Sequence, residues 1–159
     1  MHYYIDGYNW LFRSFRSKKT LEEKRRQFLK DLTLLLQGKR CEITVVFDSS
    51  DPYSYTDSRG NFQFLEIIFT KNTQTADEYI ELTIENAKNP KKITVVTLDR
   101  QLQQKCLLRG AHVLTILEFF NLFTPKKSYS CLDKQLEDSP YHFKRLLQEF
   151  EKKISENCD

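Results

Sequence analysis

The chain has 159 residues, 40% of them hydrophobic and 30% charged, enough for one sizeable core and too few to expect two. Its formal net charge of +3 permits an anionic partner without requiring one. No apolar run approaches the roughly 18 residues of a membrane span, and no secretory leader precedes the first apolar residues, so the expectation is a soluble, cytoplasmic protein with no membrane partner.

In chain order, residues 3–6 form a short apolar strand that ends at Asp6. Residues 21–37 carry Leu21, Phe28, Leu32, Leu35 and Leu36 on one stripe with charged residues opposite, which predicts an amphipathic helix. From residue 13 into the start of this helix Lys and Arg crowd together as Arg13, Arg16, Lys18, Lys19, Lys24, Arg25 and Arg26. Gly38 supplies a C-cap, and the β-branched run 42–47 reads as a buried parallel strand ending at Asp48. Residues 49–60, rich in Ser, Asp, Tyr and Pro, read as a long exposed loop. Strand character resumes over 62–70. A helix over 75–88 follows, with Thr75 and Glu78 spaced as a capping box and Asn89-Pro90 as its stop. A fourth strand over 93–98, a helix over 100–109 ended by Gly110, a fifth strand over 111–116 and a short apolar helix over 117–123 complete the pattern. Such alternation predicts an α/β domain built on a mostly parallel five-stranded sheet. Beyond Thr124-Pro125 the chain is charged, with one helix expected over 140–154. Its stripe of Phe143, Leu146, Leu147 and Phe150 would pack on the same domain.

The chemistry lies at the ends of these elements. Asp6, Asp48, Asp77 with Glu78, and Asp99 each close a strand or open a helix. In a parallel sheet the carboxyl ends of the strands face one crevice, so these acids should converge. Each has an ordinary alternative: a turn for Asp6 and Asp48, and a favourable helix N-terminus for Asp77 and Glu78. Four elements carrying Asp at one sheet edge are harder to attribute to capping. Closely packed acids repel unless a cation neutralises them, which points to a divalent-metal site. The four cysteines (Cys41, Cys106, Cys131 and Cys158) form no CxxC pair and read as reduced thiols. With four glycines in the whole chain and no Gly-rich loop after the first strand, a phosphatase or nucleotide-binding protein has little support.

The segments Ile5-Asp6-Gly7-Tyr8-Asn9, Val46-Phe47-Asp48, Thr75-Ala76-Asp77-Glu78 and Thr97-Leu98-Asp99-Arg100, with Gly110-Ala111 beyond, resemble the YacP-like branch of the NYN domains within the PIN-like nuclease superfamily. The resemblance covers about residues 2–125. It implies a PIN-like three-layer α/β/α sandwich over 1–125, with 126–159 as a charged helical extension. It also implies a metal-dependent endoribonuclease that hydrolyses single-stranded RNA to 5′-phosphate products and associates with ribosomes in mRNA turnover. The resemblance makes Asp6, Asp77, Asp99 and Asn9 catalytic. Asp6 and Asp99 become primary ligands of Mg²⁺ or Mn²⁺, Asp77 the third, and Asp48 and Glu78 flanking acids. One departure is that Leu98 stands where the family's motif usually has a small hydroxyl residue, which leaves Thr97 and Asp99 to act there.

Substrate contacts follow from residue type. Arg13, Arg16, Lys18, Lys19, Arg59 and Arg100 could track phosphates, and Tyr53 and Tyr55 could stack on unpaired bases. A solvated linker is the competing reading of the basic segment, and Trp10 reads as core. The alternative function is a catalytically weakened RNA- or ribosome-binding module, suggested by Leu98 and the basic residues.

Overall fold

The computed structural model describes residues 1–14, 18–49, 53 and 55–124, and for Arg13 and Ser14 the backbone alone. The expected helix over 140–154 and its apolar stripe lie outside these residues, as do Arg16, Cys131 and Cys158. Residues 1–123 form one compact unit. Its elements run β1 (His2–Asp6), α1 (Gly7–Ser14), α2 (Leu21–Leu36), β2 (Glu42–Phe47), β3 (Ser58–Phe62), β4 (Leu65–Phe69), α3 (Ala76–Glu85), β5 (Ile93–Val96), α4 (Arg100–Leu108), β6 (His112–Leu114) and α5 (Ile116–Phe123). A single 3-10 turn, Pro90–Lys92, precedes β5.

The described strands make one sheet of six, in the order β3-β4-β2-β1-β5-β6, rather than the five expected. The extra strand, β3, lies in the segment read as loop and pairs antiparallel with β4, while every other pairing is parallel. What reads in sequence as one strand over 62–70 is the second half of a hairpin. Phe62 and Leu65 pair across a turn of Gln63 and Phe64, and Gln63 takes φ 55, a left-handed conformation usually left to Gly or Asn. Helix α1 is also absent from the sequence reading, since Gly7 after a strand suggests a turn.

Alternation along the strands sends side chains to both faces. Val46, Ile68 and Val95 pack with Ile80 and Ile84 of α3 and with Leu102 and Cys106 of α4. On the other face, Tyr3 meets Phe119 of α5 at 5.4 Å, and Phe47 meets Phe28 of α2 and Tyr8 of α1 at 6.4 and 5.0 Å. Trp10 of α1, 2% exposed, joins Phe28, Phe119 and Phe120. Cys41 and Cys106 are free thiols. From β1 the sheet grows one way through β2 and β4, and the other way through β5. The C-terminal ends of β1 and β5 therefore flank the switch point where such sheets open a crevice. No helix among the described residues is long and apolar enough to cross a membrane.

Candidate functional site

At that crevice Asp6 is the last residue of β1 and only 6% exposed. Its Oδ1 accepts the backbone N–H of Asn9 at 3.2 Å, and its Oδ2 lies 3.5 Å from the Thr97 hydroxyl, which donates to it. Burial is the main cause that pushes its carboxyl up to about 7. The Asn9 N–H pulls the other way, and the charges of Asp77, Asp48 and Asp99 add to the rise. Asp77, in the first turn of α3, is half-buried and also raised, by burial first and then by Asp99, Asp48 and Glu81, with Lys105 opposing. The charges of Asp48 and Asp99 thus reach both Asp6 and Asp77, so four aspartates from separate segments meet at one sheet edge.

Two of them also do structural work. Asp99 is the N-cap of α4, its Oδ1 accepting the N–H groups of Gln101 and Leu102 at 2.7 and 3.1 Å. Asp48 caps a helix from a distance: its Oδ1 accepts the N–H of Ala76, the first residue of α3, at 2.6 Å. Both carboxylates meet orphan N–H groups at a positive helix end, which stabilises their charge. In each case Oδ2 is not used in the cap. Glu78 is exposed and closes the expected capping box, its Oε2 accepting the Thr75 N–H at 3.1 Å and its own N–H donating to Thr75 Oγ1. The largest charge effects on Asp6 and Asp77 come from the other aspartates and Glu81 rather than from Glu78. Capping hydrogen bonds thus fall to Glu78, Asp99 and Asp48, while Asp77 stands in the first turn of α3, where its charge is favoured, without taking part in the cap.

Asn9 and Thr97 join the motifs. The Asn9 side-chain oxygen accepts the Leu98 N–H at 3.0 Å, and Thr97 Oγ1 accepts the Asp99 N–H at 3.1 Å while reaching Asp6. The Thr97 carbonyl accepts from Gln103 Nε2 at 2.8 Å. Behind Asp77, one turn along α3, Glu81 accepts from Lys105 Nζ at 2.7 Å and pairs with Arg109 at 3.5 Å. These three residues escape a motif reading, although Glu81 stands four residues from Asp77 and so shares its helix face.

The donors present are hard carboxylate oxygens, the kind Mg²⁺ and Mn²⁺ take. Among the described residues, no three His, Cys, Asp or Glu side chains are gathered closely enough to hold a metal ion as they stand. What favours a cation is Asp6, whose buried carboxyl faces three like charges and forms no ion pair among the described residues.

The remaining residues singled out from sequence are spread more widely. Arg100 is exposed at the start of α4 beside Asp99, and Lys18, Lys19, Tyr53 and Tyr55 are exposed. Arg59, on edge strand β3, is engaged with Tyr79 Oη at 3.1 Å and Glu66 at 3.9 Å. It sits three strands from Asp6, roughly 14 Å at the usual strand spacing. With Tyr4, Asp57 and Gln74 it lines a groove of about 360 Å³ along α3. Arg59 is therefore removed from the acids. The Arg13 side chain lies outside the description.

A family model of the YacP-like NYN domain matches residues 3–158. No curated protein matches. Among solved structures, the crystal structure of Rae1 (YacP) from Bacillus subtilis, in a tryptophan-to-leucine mutant, is similar with a TM-score of 0.60 and 22% identity, covering 99% of this chain and 86% of that one. The structure of Rae1 without that mutation gives a TM-score of 0.58 at 22% identity, covering 98% and 83%. At this identity the likeness supports the mixed α/β fold, and the family match over nearly the whole length assigns the chain: it belongs to the YacP-like NYN domain family, a nuclease-like family.

Proposed function

We propose that this chain is a metal-dependent endoribonuclease that hydrolyses single-stranded RNA. The observation that carries the reading is Asp6: a carboxylate at the end of the central strand, buried, and facing three further aspartates from separate elements. Asp6 and Asp77 would hold Mg²⁺ or Mn²⁺, with Asp99 through Oδ2 and Asp48 in support, directly or through water. Bound there, the ion would make a water nucleophilic near neutral pH and offset the charge gathering on the phosphate. Hydrolysis there would form a bond from the water oxygen to phosphorus as the bond to O3′ breaks, the water losing a proton to solvent and O3′ taking one up, which gives a 5′-phosphate and a 3′-hydroxyl. The chain's own residues hold the acids still: Thr97 ties Asp6 to Asp99, Asn9 ties α1 to the β5–α4 turn, and Asp48 fixes the start of α3. Arg100, Lys18 and Lys19 would meet phosphates, and Tyr53 and Tyr55 bases. On this reading the substrate would be an mRNA, met at the ribosome in the cytoplasm, as the resemblance noted from the sequence implies.

The test is cleavage of end-labelled single-stranded RNA with Mg²⁺ or Mn²⁺, with chelator, and with Asp6→Asn and Asp77→Asn proteins shown to be folded. Cleavage that persists in chelator, or in both variants, would falsify the reading. One observation favours a second reading, an RNA-binding module without turnover: no three acids already stand at metal-holding separation among the described residues. Full RNA binding with no cleavage under either metal would decide for it.

A further inference from the structure

We infer that Arg25 is a phosphate-binding residue beside the aspartate cluster, its guanidinium held ready to grip the backbone of the RNA; this rests on the reading of the cluster as an RNA site. Arg25 lies on α2, far in sequence from every acid of the site. Its guanidinium carbon sits 5.2 Å from the centre of the Phe69 ring, and its Nη1 donates to Tyr8 Oη at 3.4 Å. Both anchors stand at the sheet edge where the acids converge. Phe69 is the last residue of β4, and its ring stacks on Phe47 at 5.5 Å. Phe47 immediately precedes Asp48. Tyr8 follows Asp6 by two residues, and its ring meets Phe47 at 5.0 Å. The charges of Arg25 and Asp48 both reach the Tyr8 phenol, the cation lowering it and the acid raising it, so both lie near that ring.

Three other arginines at the surface are paired with carboxylates: Arg26 with Glu22, Arg59 with Glu66 and Arg109 with Glu81. Arg25 is half-buried and, among the described residues, pairs with none. A guanidinium carries five N–H donors in a planar fork, and here one is committed to a neutral hydroxyl. The aromatic face and that hydroxyl fix the orientation of the fork, so little side-chain entropy is left to lose on binding. A fixed, unpaired fork at the same sheet edge as the aspartates fits an anion that brings its own counterion into the cluster, and a phosphodiester matches it bidentately. The competing account is packing alone, with Arg25 covering Phe69.

The two accounts separate in an RNA-binding experiment on the full chain. With Asp6→Asn as background to prevent turnover, anisotropy of a labelled single-stranded RNA is followed across a salt series. Adding Arg25→Gln should weaken binding roughly tenfold and reduce the slope of log affinity against log salt by about 0.7, one phosphate on a single strand. Arg25→Lys should keep the slope and lose affinity, because charge stays and the fork goes. Arg26→Gln makes the same change in net charge one residue along and should alter neither quantity. Unchanged affinity and slope in Arg25→Gln, with binding by the background protein intact, overturns this inference alone. Absence of RNA binding in wild-type and background proteins overturns the function reading and this inference with it. If Arg25→Gln does not fold, Tyr8→Phe decides: it removes the hydroxyl that orients the fork, and unchanged affinity there overturns the inference.

Discussion

The side-chain oxygen of Asn9 accepts the backbone N–H of Leu98 at 3.0 Å, across 89 residues of sequence. The bond joins the first turn of α1 to the turn that leaves β5, so the two segments that present Asp6 and Asp99 move as one. It uses the main chain of Leu98, whatever its side chain is. Asn9→Ala should therefore cost about 1–2 kcal/mol, because a partly buried N–H loses its acceptor. Leu98→Ser, which puts a small hydroxyl residue there, should stay within about 1 kcal/mol of wild type. Urea midpoints with unchanged slopes give both values, and the reverse ranking would show that the side chain at 98 matters more than the bond.

Asp6 makes the protein's stability depend on pH in a defined direction. Its folded-state carboxyl is raised from 3.8 to about 7. Between those values the folded state keeps a proton that the unfolded chain has released, so stability falls as pH rises through that window and levels off above it. The full loss is at most about 4 kcal/mol. Asp6→Asn carries no such proton. Measured in chelator, the gap between the variant and wild type should widen in the variant's favour from about pH 4 to pH 7. Added Mg²⁺ or Mn²⁺ at pH above 7 should then restore wild type more than the variant. A gap that does not change with pH would show that Asp6 is not raised.

Much of this arrangement is legible in sequence because it rests on periodicity and caps. The strand 42–47 has the bounds the β-branched run suggests, and Thr75 and Glu78 form the box their spacing announces. The hairpin is not legible. Its turn is Gln63-Phe64 rather than a Gly or Asn pair, and β3 contains Arg59, Gly60 and Asn61, residues that read as loop. That strand forms because β4 offers it a free edge, a tertiary effect that outweighs local propensity. The convergence of the aspartates was legible from strand ends, but the division of labour among them was not. Whether a carboxylate caps its own helix, as Asp99 does, or another element's, as Asp48 does, depends on which N–H groups the fold brings near. Arg25 was hidden in a basic run, since nothing in its neighbours distinguishes it from Arg26.

Gly7 is needed for space rather than for its backbone freedom. A Cβ there would fall 2.4 Å from Cε1 of Phe47, whose ring is fully buried among Tyr8, Phe28 and Phe69. Neither backbone nor ring can yield easily, so Gly7→Ala should destabilise by about 1–3 kcal/mol, the usual cost of overpacking. Phe47→Leu opens room at the same place. The double variant should lose clearly less than the two single losses added together, a coupling that a double-mutant cycle measures. Simple additivity would mean that the damage in Gly7→Ala comes from helix α1 and not from the contact with Phe47.

The Glu81 carboxylate and the Lys105 ammonium, 2.7 Å apart, act on Asp77 in opposite directions: Glu81 raises its carboxyl and Lys105 lowers it. The pair therefore tunes the acid one turn away without touching it. Lys105→Met should raise the Asp77 carboxyl further, because its nearby counter-charge is gone. Glu81→Gln should lower it, both by deleting a like charge and by releasing Lys105 from its partner. Carboxyl-carbon NMR titration of Asp77 in the metal-free protein reads both changes. The same substitutions should move divalent-ion affinity, since a cation entering the cluster is repelled by Lys105 and attracted by an added net negative charge. Lys105→Met should tighten Mn²⁺ binding in calorimetry, and Glu81→Gln should weaken it. Shifts of the same sign in the two variants would mean that the pair acts on Asp77 by moving α3 against α4 rather than through charge.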